Sequence, residues 1–341
     1  MMALSNIVVP RIGGLAVCAL VAVASLWLAV TIGISATLIA LMAGLVLQRA
    51  STIGHLSDGV QFSSDQVLKL GIILLGSRIG FQDLASLGMM PLTIAMTALV
   101  ASLGSGILLA KFMNRPLAFA VLTGSSVGIC GAAAAVSISS VLRKNSSGYN
   151  QGIAEKDTIC TAIIVTFLSA LSMLLLPVIT PLLAIPGDIS GYFIGGTVHG
   201  FGQAIGAGYA VSDQSGYVAT ITKLTRVALL MPTVILAALS FRGSDNKSGN
   251  GLSATLLQFP LFLLGFMVLV ALHSFGFIPE FARTALVNGS QLFILIGLAA
   301  LGMKTSFSAL KSVGPDVLLF ILFQTVVLNF VIAAFLLFIR L

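Results

Sequence analysis

Charged positions are rare along this chain, and between them the apolar positions run unbroken. No Asp, Glu, Lys or Arg occurs between Arg11 and Arg49, Asp83 and Lys111, Arg115 and Arg143, or Asp157 and Asp188. The same holds between Asp188 and Asp213, Lys247 and Glu280, Arg283 and Lys304, and Asp316 and Arg340. Most of these intervals exceed the roughly 20 apolar residues that carry a helix across a bilayer. The pattern predicts spans near 12–31, 34–48, 66–88, 92–111, 117–142, 157–183, 190–212, 220–241, 255–273, 286–305 and 315–340. That is an all-α integral membrane protein of about eleven transmembrane helices. As one helix, the interval from Arg11 to Arg49 would be about 55 Å long, against a hydrocarbon core of about 30 Å. A corner is therefore expected at Thr31-Ile32-Gly33. The apolar run continues into a second span with no small-residue cleavage site, which argues against a cleavable signal peptide.

Three charges, Lys69, Arg78 and Asp83, interrupt segment 66–88 and place part of it at the interface. Arg143 to Lys156 and Arg242 to Gly251 read as aqueous loops, both short, so the chain reads as one polytopic transmembrane domain over 1–341. Basic residues divide almost equally between the two sides and give no orientation. The cluster Arg143, Lys144 and Lys156 favours a cytoplasmic first loop.

Composition agrees. The chain is 58% hydrophobic and 8% charged, whereas soluble domains carry about 25% charged residues. The net charge of +7 is ordinary for a polytopic protein, and without a basic run no nucleic-acid partner is expected. Cys18, Cys130 and Cys160 lie in or beside apolar segments at spacings that fit no metal site. No metal or other cofactor is expected. The chain lacks a Walker-type loop, a paired-His helix with a Glu, and a serine-centred elbow, so it does not read as an enzyme.

The chain also resembles itself. A shift of 226 positions matches Gly71 to Gly297, Leu75 to Leu301, Gly76 to Gly302 and Phe81 to Phe307, while Arg78 meets Lys304. Repeat-related segments near 66–91 and 292–317, an odd number of spans apart, predict copies in opposite orientation, an arrangement common in secondary transporters. Coincidence in a low-variety apolar sequence is the competing explanation.

Two polar interruptions carry candidate chemistry. Thr123 to Gly131 holds three glycines and two serines, Ser125 and Ser126, followed by the four alanines Ala132 to Ala135. Poor helix followed by good helix predicts a break with a half-helix starting near Cys130 and Gly131. Its exposed N–H groups and positive dipole end would favour an anion. Close helix packing through small residues is the plainer reading. Ile189 to Ser212 carries no formal charge yet holds seven glycines with His199 and Gln203 four apart, on one helix face. Non-helical backbone at bilayer depth is tolerated only where protein or a water-filled cavity encloses it, although a lone His is more often a structural hydrogen-bonder. Lys223 and Arg226 share another helix face with no acidic neighbour in sequence. They either neutralise an anion in a cavity or snorkel to the headgroups.

These segments carry a resemblance. Gly124-Ser125-Ser126 with Ile129 to Ala135, the stretch Tyr192 to Ala204 (YFIGGTVHGFGQA), Lys223 to Val227 (KLTRV) and Leu70 to Arg78 (LGIILLGSR) are similar to motifs of the bacterial YeiH family, labelled sulfate exporters. The likeness runs over nearly the whole chain from about residue 12. It departs at Gly200 and Gly202, and in one extra residue at Val127 or Gly128. The resemblance implies inner-membrane secondary carriers with inverted repeats and crossed, discontinuous helices, distantly similar to the bile-acid/sodium symporter group.

The combined reading is a multi-pass secondary transporter of a small anion, such as sulfate, sulfite or an organosulfonate, in the bacterial inner membrane. An ion gradient, of H+ or Na+, would drive alternating access, and oligomers are compatible with this scheme. Its substrate site would comprise Ser125, Ser126, Cys130, Gly131, His199, Gln203, Lys223 and Arg226. An anion channel, or a membrane-embedded sensor without coupled transport, is the alternative. On this reading Arg226→Ala and His199→Ala each abolish anion flux in reconstituted vesicles, with expression and folding near normal.

Overall fold

The computed structural model describes residues 2–142, 155–241, 260–305, 310 and 313–340. The two expected aqueous loops lie almost wholly outside the described residues, as does most of the second repeat copy beyond Thr305. In chain order the helices are α1 (Met2–Ile32), α2 (Ala36–Val46), α3 (Gly54–Phe62), α4 (Leu68–Leu75), α5 (Phe81–Ser86), α6 (Met90–Phe112), α7 (Leu117–Gly128) and α8 (Ala132–Leu142). They continue with α9 (Glu155–Leu182), α10 (Gly187–Thr197), α11 (Phe201–Val211), α12 (Asp213–Ala228), α13 (Leu230–Ser240), α14 (Leu261–Ser274), α15 (Glu280–Lys304) and α16 (Pro315–Arg340). There is no strand among the described residues. Among the described residues six stretches are long and apolar enough to cross a bilayer, and α12 with α13 forms one of them, Asp213–Ser240. Four shorter apolar helices accompany them. The protein is an all-α, multi-pass membrane protein.

Proline and left-handed residues punctuate these helices as local chemistry demands. Pro116, Pro186, Pro260 and Pro279 stand at the N-caps of α7, α10, α14 and α15, where a missing N–H costs nothing. The corner after α1 falls at Gly33, whose φ of +73° suits a residue without Cβ.

Segment 66–88 is not one span. A helical run from Gly54 includes a π-turn at Ser63–Val67 and ends in a 3-10 turn at Gly76–Arg78. The chain then goes extended at Ile79 and Gly80. Asp83, rather than lying in a span, caps α5 by accepting the Gly80 N–H at 2.8 Å.

Read as one domain in sequence, the chain packs as two compact units, each assembled from distant segments. The first combines residues 1–88, 209–212 and 260–306. Glycines set its helix crossings. A Cβ on Gly302 would lie 2.5 Å from the Leu41 carbonyl oxygen and 2.9 Å from Gly44 Cα. The repeat-related stretches meet here. A Cβ on Gly71 would sit 2.9 Å from Ile294 N, and one on Gly297 2.6 Å from Leu68 Cβ. Leu68 and Ile294 are separated by the same 226 positions as Gly71 and Gly297, so each contact is the counterpart of the other. As numbering rises along α4 it falls along α15, so the pair is antiparallel.

The second unit combines residues 89–208, 213–259 and 307–341. In it α6 packs on α7 through Gly124 and Gly128, and α10 packs on α12 through Gly191 and Gly195.

These crossings give an expected outcome in detergent. Gly302→Ala, which drives a methyl into backbone, should cost about 1–3 kcal/mol and lower the Tm. Gly104→Ala, at a site open within 4 Å, should leave the Tm unchanged or raise it, since alanine is the better helix former.

Candidate functional site

Two helices of the second unit break at mid-length. α7 and α8, of 12 and 11 residues, flank the first break; α10 and α11, of 11 residues each, flank the second. Each half is about 17 Å long, roughly half the hydrocarbon core, so both breaks fall near its middle. At the first, the Ile129 N–H donates to the Ser125 carbonyl at 3.0 Å and the Gly131 N–H to Ser126 at 2.8 Å. Gly131 then turns left-handed at φ +68°, a conformation costly for any residue with a Cβ, and the alanines start α8. At the second, Val198 is extended. Gly200 opens α11, its N–H held by Ser169 Oγ at 2.7 Å. The breaks face each other: a Cβ on Gly131 would touch His199 at 3.6 Å.

A helix stopped inside protein leaves its last carbonyls unpaired. Here α12 supplies the donors. Lys223 Nζ donates to the carbonyls of Ile129 (2.8 Å), Val198 (2.8 Å) and His199 (2.7 Å). Three acceptors use all three hydrogens of an ammonium group. Arg226 donates from Nε to Gly128 (2.9 Å), from Nη2 to Val127 (2.7 Å), and from Nη1 to Gly195 (3.0 Å) and Val198 (3.3 Å). Both side chains are 0% exposed. Glycine makes this reach possible: a Cβ on Gly195 would lie 2.7 Å from Thr222 Cβ, so only glycine lets α12 come this close.

Their depth bears on the two sequence alternatives for the cations. The span begins at Asp213, not near residue 220. Lys223 is ten residues inside it, about 15 Å along the axis, too deep for a four-carbon stem to snorkel. Their donors go to backbone, so in this conformation the Arg226 fork is not free to hold an anion.

The remaining candidates separate as follows. Ser126 spends its proton on the Leu122 carbonyl at 2.6 Å, whereas Ser125 Oγ is buried with no hydrogen-bond partner among the described residues. Cys130 lies with its sulfur against the Ala134 backbone N–H in the first turn of α8. Gln203 is buried, and its Oε1 fills the space beside Gly200. His199, 1% exposed, pairs through Nε2 with Thr325 Oγ1 at 3.0 Å. Thr325 was not singled out from sequence. It sits in α16, and only the polar pair Gln324-Thr325 within an apolar run could have marked it. Ser169, in α9, was missed for the same reason.

Among the described residues no carboxylate pairs with the cations. The described carboxylates of this unit, Glu155, Asp157, Asp188, Asp213 and Asp316, all stand in first turns of helices, where they suit the dipole and lie far from the breaks. Nor do the described residues contain a group of His, Cys, Asp and Glu able to hold a metal.

A family model described as Conserved hypothetical protein 698 matches residues 13–321. Similar proteins include a UPF0324 membrane protein of Chlorobaculum tepidum, 40% identical over 75% of this chain and 69% of its own length. The UPF0324 membrane protein RA0957 of Rhizobium meliloti is 37% identical over 91% of this chain and 86% of its own. The UPF0324 membrane protein TauZ of Paracoccus pantotrophus is 36% identical over 94% and 93%. No solved structure matches the chain.

The geometry changes one expectation for mutants. Arg226→Ala strands the carbonyls of Val127, Gly128 and Gly195, at about 1–3 kcal/mol each. It should fail to give a stable, monodisperse protein rather than fold normally. His199→Ala gives up one hydrogen bond, about 1 kcal/mol, and should remain folded. Size-exclusion profiles and Tm of the two variants check this.

Proposed function

The chain belongs to the family of Conserved hypothetical protein 698, the same family that its sequence resembles as YeiH, and for it we propose a secondary transporter of a small anion in the bacterial inner membrane. One observation supports this above others: two formal positive charges are buried at the crossing of two broken helices with no carboxylate to balance them. Each helix end carries about half an elementary charge. The C-terminal ends of α7 and α10 are negative and the N-terminal ends of α8 and α11 positive, so the four cancel and the charges of Lys223 and Arg226 remain. A buried surplus of that size attracts a negative solute.

Since the cations are saturated by carbonyls, the anion is held by other groups. The N-terminal ends of α8 and α11, the Ser125 hydroxyl, and the His199 and Gln203 side chains are those this site offers. Cys130 and Gly131 shape its floor, while Lys223 and Arg226 supply potential. Sulfate, sulfite and organosulfonates are the substrates to try first. On this reading turnover is translocation. Separate packing of two units is the property that alternating access requires, and an H+ or Na+ gradient would supply the work.

Counterflow in proteoliposomes tests the class. Vesicles preloaded with unlabelled sulfate or methanesulfonate should take up labelled anion faster than empty ones, with saturation. Ser125→Ala should raise the half-saturating concentration about tenfold, the worth of one hydrogen bond to a charged group. Uptake that never saturates and ignores the trans side identifies a pore instead.

A further inference from the structure

The hydrogen bonds of His199 point beyond anion binding. Thr325 has one hydroxyl proton, and the Ile321 carbonyl lies 2.8 Å from its oxygen to accept it. Thr325 Oγ1 therefore accepts from His199, which places a proton on Nε2. On the other side of the ring Nδ1 is buried and makes no well-formed hydrogen bond among the described residues. With a proton on Nε2, Nδ1 presents a bare lone pair, the one ring position still able to take a proton. The nearby charges oppose that proton. Lys223 Nζ sits 2.7 Å from the His199 carbonyl and Arg226 Nη1 3.3 Å from that of Val198. The other neighbours add no charge: Cys130 beside Gly131, Gln203 on α11, Ser169 on α9 and Thr325 on α16.

Building on the anion reading above, we propose that His199 takes up one proton with each anion bound, making the protein an anion–proton symporter. An anion at the N-termini of α8 and α11 offsets the two cations and removes their opposition to a third positive charge. The ring then accepts a proton from water at Nδ1. Coupling of this kind is mutual, so the proton tightens anion binding as the anion tightens proton binding. On the far side the anion leaves first, the cations again oppose the ring, and Nδ1 returns its proton to water. The only bond made and broken is N–H.

The test uses the whole protein in liposomes with a pH-reporting dye inside, and sulfate or methanesulfonate outside, neither of which titrates near neutrality. Net uptake of the anion into vesicles that hold none should acidify the lumen by one proton per anion, and anion binding followed by thermal shift should tighten up to tenfold for each pH unit lowered. In His199→Gln that pH dependence should vanish, whatever affinity remains. Should this variant bind too weakly to read, Thr325→Val, which removes the Nε2 partner, should displace the pH midpoint of the flux. Net anion uptake without luminal acidification, a pH dependence that persists in His199→Gln, or an unmoved midpoint in Thr325→Val overturns the assignment. Absence of counterflow with any anion is a different result, and it is the transporter reading that then fails.

Discussion

Six backbone carbonyls held by two side chains are the constraint on which the second unit depends. Val127, Gly128 and Ile129 end one half-helix, and Gly195, Val198 and His199 end or follow another; Lys223 and Arg226 bind all six. In hydrocarbon an unpaired carbonyl costs several kcal/mol, so neither break could exist without these donors. The reverse also holds. An unpaired ammonium or guanidinium at that depth is far costlier still, so neither cation could sit there without the breaks. Helix interruption and buried charge are each the condition of the other.

A carboxylate would have solved the problem of charge more simply, and none is there. Backbone carbonyls neutralise only part of a cation, since each helix end amounts to about half a charge and the opposing N-terminal ends restore what is removed. Potential survives at the crossing where an ion pair would have erased it. This is why saturation of the Arg226 donors does not weaken the case for an anion. Direct pairing and a positive potential are different things, and the second requires no free fork.

Much of this was legible in the sequence, though unevenly. Spans follow from uncharged intervals because the bilayer admits so few alternatives, and the first break followed from glycines and serines before an alanine run. The clamp was not legible. Carbonyls have no residue signature, so nothing near Lys223 announces its acceptors, which come from positions 24 to 94 residues away. Its depth was misjudged because the polar opening of α12, Asp213-Gln214-Ser215-Gly216, reads as a loop. Serine identity likewise could not tell Ser125, left bare, from Ser126, bonded within its own helix; which way each side of α7 faces decides that. The glycines of Ile189 to Ser212 marked the right region for a partly different reason. Gly191, Gly195 and Gly208 chiefly let α12 approach, and through that approach they deliver the cations.

Shared ownership of the clamp also limits how the site can move. Arg226 Nη1 bridges Gly195 and Val198, while its Nε and Nη2 hold Gly128 and Val127. A displacement of one break alone by much more than half an ångström would stretch these bonds beyond hydrogen-bonding range and expose carbonyls to hydrocarbon. The two breaks and α12 must therefore shift as one body. Any motion at this crossing carries that body whole, with its charge and its imidazole, rather than bending one half-helix away from the other.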